Sequence, residues 1–197
     1  MATQTSAHGA HEAPQGFIRR WVFSLDHKVI GIQYMFLALA SVFVGTILSL
    51  MIRAQLAFPE KIYPYWSSIF SEDFAARLAS PDWYLTMVTM HGTMMVFFVL
   101  TTAPQGGFGN YVLPIQIGAL DMAFPRLNML SFWTTLLGFL TLMAAFFVEG
   151  GAPLGGWTAY ARLSALGEVA GPGQGMGMNL WITSIAIFCI AFMNIDS

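Results

Sequence analysis

One histidine sits in an otherwise apolar run, Thr89-Met-His-Gly-Thr-Met-Met-Val-Phe-Phe98, and no charged residue occurs between Trp83 and Leu120. An ionisable residue at membrane depth is a functional-site hypothesis by default. Met87, Val88, Met94, Met95 and Phe98 recur at helical spacing around His91, and Gly92 removes a side chain beside the ring. Such a face could line a flat hydrophobic cofactor, and neutral imidazole is a common axial ligand of haem iron. Two other readings stay open on the residues alone: a hydrogen bond to a neighbouring helix, and a place on an ion or proton path.

The other chemistry-bearing residues are few. Arg53 follows an apolar run, where a cation complements the helix dipole and snorkels to the interface. Pairing with an anionic or carbonyl group of a cofactor is the alternative. Asp121 precedes Ala-Phe-Pro-Arg, a helix start, and reads as a cap or as a carboxylate at the mouth of a proton path. Asn110 and Asn128 read as turn or cap residues, and Glu149 as an interfacial one. His8 and His11 form an HxxH pair in an Ala/Gly/Thr tail, which reads as solvated chain. The glycines of Gly171-Pro-Gly-Gln-Gly-Met-Gly177 follow no strand, so they read as a flexible linker and not a phosphate loop. One cysteine, Cys189, excludes an internal disulfide and any multi-cysteine metal site.

These residues need elements to hold them, and composition says which. The chain of 197 residues is 56% hydrophobic and only 9% charged. Soluble domains carry about 25% charged residues, so this chain reads as an all-α membrane protein in contact with lipid. A net charge of −2 without a basic patch argues against nucleic acid. About 20 apolar residues cross a bilayer, and runs over 29–52, 83–103, 127–148 and 178–195 meet that length, giving about four transmembrane helices. Residues 1–20 read as a flexible polar tail and 21–197 as the membrane domain. The first run exceeds a signal-peptide core and reads as an uncleaved anchor. Residues 53–82 hold many of the charges and read as a solvated amphipathic loop. The Gly/Pro-broken stretch from Pro104 to Arg126 reads as backbone buried at the membrane face. Basic residues balance on the two sides, so charge does not orient the chain.

Taken together, "SLDHKVIG", "IRAQL", "MHGTMMVFF", "GGFGN", "DMAFPRLNMLSFW" and "GGWTAY" stand in the order and spacing of haem–copper oxidase subunit I. The chain resembles the A-type cytochrome c oxidases over roughly residues 20–190. The resemblance implies the first part of a bundle of about twelve membrane helices. It implies that His91 is one of two axial ligands of a low-spin haem (type a or related). It implies that Arg53 hydrogen-bonds a substituent of that haem. Asp121 becomes the carboxylate at the opening of a proton-uptake pathway, with Asn110 and Asn128 nearby and Ser184 further along. Trp157 and Tyr160 resemble outer-loop aromatics near the haem.

The resemblance also implies respiratory oxygen reduction coupled to proton pumping, with cytochrome c as donor and other oxidase subunits as partners. The expected location is the bacterial plasma membrane, with the N-terminus cytoplasmic. Copper and a high-spin haem belong to the full-length family, but their ligands lie in C-terminal helices absent here. The chain is therefore expected to be an N-terminal fragment, inactive alone. Three departures stand out: Gln55 where a cation-binding Glu is common, "WTAYARL" for "YPPL", and "CIAFMNIDS" at the end of the fourth run. The alternatives are a quinol oxidase subunit I, a stand-alone small haem-binding cytochrome, and a four-helix transporter or assembly protein in which His91 is structural.

Overall fold

A computed structural model describes residues 16–193; His8, His11 and the last residues of the fourth run lie outside the described residues. Among the described residues, four helices are long and apolar enough to cross a membrane: α1 (His27–Ala57), α2 (Pro81–Ile117), α3 (Pro125–Phe147) and α4 (Met176–Met193). The all-α membrane architecture is the one the composition demands. Within the stretch read as a flexible polar tail, residues from Phe17 onward are helical, in a short helix Phe17–Trp21.

Asp26 starts α1, its carboxylate accepting from the Lys28 backbone N–H at 2.8 Å. This satisfies one of the donors that a helix start leaves free. The helix then runs past Arg53 to Ala57. Arg53 is thus a turn short of the end, and no basic residue occupies the last turn, so the helix-dipole reading of Arg53 does not hold.

The largest departure from expectation is α2. The Gly/Pro-rich stretch after Ala103 does not leave the helix. It is α-helical over Pro81–Thr93, π-helical over Met94–Gly109 and α-helical again over Asn110–Ile117. The wider π-turn accommodates Pro104, which lacks an N–H. The hydroxyls of Thr101 and Thr102 donate to the carbonyls five residues earlier, at 3.0 and 3.2 Å. The glycines serve contact with α1. A Cβ on Gly31 would lie 3.0 Å from the Gly107 carbonyl oxygen, and one on Gly106 would strike the Tyr34 ring. The helix ends where Gly118 turns left-handed, at φ 72°.

Pro125 opens α3 as the sequence predicts. Its buried stripe Asn128, Ser131, Thr135 and Gly138 faces inward at i, i+3, i+7 and i+10. The partner is α4: Ser184 donates to the Gly138 carbonyl at 2.7 Å, and Ser131 to the Ala191 carbonyl at 2.6 Å. Phe98 of α2 meets Phe139 and Phe188 edge-on, with centroids 5.7 and 5.1 Å apart, joining three helices in one core.

The connections are more ordered than the sequence suggests. Residues 53–82 contain the helices Pro59–Ser67 and Glu72–Leu78. The glycine-rich stretch before α4 is packed backbone to backbone. Cβ atoms at Gly173 and Gly177 would collide with the carbonyl oxygens of Ala152 and Gly151. Glycine is needed there for close approach, so the flexible-linker reading is replaced by a packed loop. Gln174 within it is buried, with neither amide atom hydrogen-bonded to protein among the described residues.

Candidate functional site

The face of α1 bearing Val42, Thr46, Ser49, Leu50 and Arg53 forms one wall of a groove, and His91 and Met95 of α2 form the other. Its volume is about 420 Å³, within the roughly 300–1,000 Å³ range of cofactor sites. The residues of α1 recur at i, i+4, i+7, i+8 and i+11, as a single helix face must. His91 and Arg53 are thereby brought together. With about 1.5 Å rise per residue, Arg53 stands about 12 Å along α1 from the level of Gly45. Met95 is on the groove, but Met87, Met94 and Phe98 are buried in the core. The apolar face assigned to a ligand around His91 is therefore mostly a packing face.

His91 itself is oriented by one contact. Its Nδ1 lies 2.9 Å from the Gly45 carbonyl oxygen. A carbonyl only accepts, so Nδ1 carries the proton and donates. In the neutral ring Nε2 then keeps its lone pair, and His91 lines the groove. This is the arrangement in which an outer acceptor fixes a metal-binding imidazole. Gly45 is buried, and a Cβ there would collide with the terminal methyl of Met95. Among the described residues no group of three His, Cys, Asp or Glu side chains gathers. A single imidazole suits an axial position on a macrocycle better than a bare ion, and an apolar groove with a guanidinium at one end fits a haem.

The three expected proton-path residues are not gathered in one site. Asp121 is exposed in the turn between α2 and α3, and its Oδ1 accepts from the Met122 backbone N–H at 2.8 Å. It does not cap α3, whose N-cap is Phe124. Asn110 and Asn128 are buried helix residues, so the turn or cap reading of both is overturned. Asn110 donates to the Gly106 carbonyl at 2.7 Å while, among the described residues, its Oδ1 has no protein partner and neither amide atom of Asn128 has one. Buried polar groups are rarely left unpaired, and such atoms are where ordered water is held.

Two groups escaped sequence reasoning. Tyr34 is fully buried and donates to the Ser131 hydroxyl at 2.9 Å, which extends the polar stripe of α3 to α1. Its signal was a tyrosine inside an apolar run. His27 carries little signal in the sequence, because it stands between the charged residues Asp26 and Lys28 before the first apolar run. It is the first residue of α1, buried, with Nδ1 donating to the Asn110 carbonyl at 2.8 Å. Trp157 and Tyr160 are exposed, and Trp157 covers Gly92 beside His91.

Comparison with known proteins decides the family. Residues 29–195 match the family described as Cytochrome C and Quinol oxidase polypeptide I. The chain belongs to this family. It is 42% identical over 179 residues to "Alternative cytochrome c oxidase subunit 1" of Bradyrhizobium diazoefficiens, covering 91% of this chain and 28% of that protein. It is 40% identical over 174 residues to "Cytochrome c oxidase subunit 1" of Synechocystis sp., covering 86% and 27%. "Heme-copper oxidase subunit I+III" of Aeropyrum pernix is 37% identical over 175 residues, covering 89% and 19%. The chain thus spans less than a third of the length of these relatives. As a member of the oxidase subunit I family it is an integral membrane protein, the family is one of oxidoreductases, and the family implies haem and copper cofactors.

Proposed function

We propose that this chain is the N-terminal membrane section of a terminal oxidase subunit I, and that His91 is one axial ligand of its low-spin haem. The observation that carries the reading is the 2.9 Å bond from Nδ1 to the Gly45 carbonyl, which leaves Nε2 as a fixed lone-pair donor in an apolar groove. Haem, when bound, supplies one-electron redox chemistry. Arg53, at the far end of the groove, supplies a guanidinium to a polar substituent of that group. Val42, Leu50 and Met95 line the groove and would give a bound haem an apolar contact surface.

Asp121 is the proton collector of this reading. Its carboxylate is exposed to solvent, whereas Asn110 and Asn128 are buried with unpaired amide atoms that can hold relaying water. The N-terminus and Asp121 face the cytoplasm of a bacterial plasma membrane, and cytochrome c is the donor to the assembled enzyme. Copper and the oxygen-reducing haem are held by other segments of subunit I, so these residues alone do not reduce oxygen. The test is His91→Ala in the assembled oxidase, read by reduced-minus-oxidised spectra. Loss of the low-spin haem band is expected. An unchanged band would remove His91 from the ligand set.

A further inference from the structure

The face of α2 opposite His91 carries three threonines. Thr86, Thr89 and Thr93 lie roughly 160–220° around the helix from His91 at 3.6 residues per turn, and all three are buried. The Thr89 and Thr93 hydroxyls each donate to the carbonyl four residues back, at 2.9 and 2.8 Å. Their oxygens then accept from outside the helix: Thr89 from the Gly156 backbone N–H at 2.9 Å, and Thr93 from Trp181 Nε1 of α4 at 2.8 Å. Thr86 donates to the Ala152 carbonyl at 3.2 Å. Thr93 is also the last α-helical residue before the π-helical section begins at Met94.

We propose that the Thr93–Trp181 hydrogen bond is a positioning device for His91. It pins α2 at the junction where its geometry changes, two residues beyond the histidine and on the reverse face. Rotation of the helix about its axis would swing the His91 ring, and a buried indole N–H leaves that junction one hydrogen-bonded setting. A π-section can shift its register against an α-section, so the junction is where such a restraint acts most directly on the ring. Trp181 is buried and borne by a different membrane helix, so the angle of the imidazole depends on how α4 docks. This inference rests on His91 being the haem ligand.

The test uses the assembled oxidase and reads the ferric low-spin haem by electron paramagnetic resonance, together with its midpoint potential. Thr93→Val is close in shape and lacks the acceptor; it should shift the g-values and the potential, and Thr93→Ser should restore both. Thr86→Val, which breaks the ladder at the opposite end, should lower thermal stability and leave g-values and potential at the parental values. Should Thr93→Val not accumulate, Trp181→Phe removes the same bond from its other side and should give the same shift. Parental g-values and potential in both Thr93→Val and Trp181→Phe, with the low-spin signal lost in His91→Ala, would overturn the positioning role and leave the ligand assignment standing. A low-spin signal that survives His91→Ala would instead overturn the ligand assignment and this inference with it.

Discussion

Gly106 lies against the ring of Tyr34, so close that a Cβ on it would fall 2.6 Å from Cδ1 and 2.8 Å from Cγ. The contact joins the π-helical section of α2 to the N-terminal third of α1, and Tyr34 has no free volume into which to retreat, being fully buried. Gly106→Ala should therefore destabilise the bundle by about 1–3 kcal/mol, the usual range for overpacking a filled interior. A lowered thermal midpoint of the purified protein checks this. Gly16, whose Cβ would meet nothing within 4 Å, is the control site and should tolerate alanine.

Gly45 offers a prediction about the groove. Its carbonyl takes the proton of His91 Nδ1, and its missing side chain makes room for the Met95 methyl. Gly45→Ala keeps the carbonyl but forces Met95 to turn, and Met95 lines the groove. Changes beside a metal ligand's outer partner typically cost about 10–100-fold in affinity, and this one, which spares the acceptor, belongs at the low end. Haem content per protein should fall, and Gly45→Ala combined with Met95→Ala should recover part of it. No recovery would place the strain elsewhere.

How much of this was readable from sequence depends on the kind of residue. The four membrane helices follow from run length and low charge, because a bilayer admits almost no other backbone. His91 stood out because an imidazole in hydrocarbon has to be accounted for. The path of α2 beyond Ala103 was misread because Gly and Pro ordinarily stop helices. Here the π-turn tolerates Pro104, while Gly106 and Gly107 are contact surfaces for Tyr34 and Met35. The same signal misled at Gly173 and Gly177, where closeness to another backbone, and not freedom, selects glycine. The threonine face of α2 was not legible at all. Thr86, Thr89 and Thr93 look like ordinary polar interruptions until Ala152, Gly156 and Trp181 are placed against them.

Ser131 and Tyr34 separate two effects of deleting a hydroxyl. Tyr34→Phe removes one interhelical hydrogen bond and leaves Ser131 bonded to the Ala191 carbonyl. Such bonds average about 0.6 kcal/mol inside membranes, so the loss should be small. Ser131→Val removes the acceptor of Tyr34 and the donor to Ala191 together, leaving both buried partners without it. Its cost should be several times larger, about 1–3 kcal/mol. Unfolding of the two variants side by side gives the comparison, and equal losses would mean that the Ala191 contact carries no weight.

Asp121 tests the proton route. Among the described residues its side chain accepts one hydrogen bond, from the Met122 N–H, and an asparagine oxygen can accept the same bond. Asp121→Asn therefore keeps the turn between α2 and α3 while deleting the group that can take up and release a proton. The groove beside His91 is lined by α1 and by the first half of α2, and Asp121 is not among its lining residues. Low-spin haem spectra of the variant should accordingly match the parent. Proton uptake by the assembled oxidase should slow by about two orders of magnitude, the scale expected for loss of a positioned acid–base group. Asp121→Glu, which keeps a titratable carboxyl on a longer stem, should recover part of the rate. Full-rate uptake in Asp121→Asn would move the collecting group to another residue. A disturbed spectrum would mean instead that the turn, and not the proton, had been perturbed.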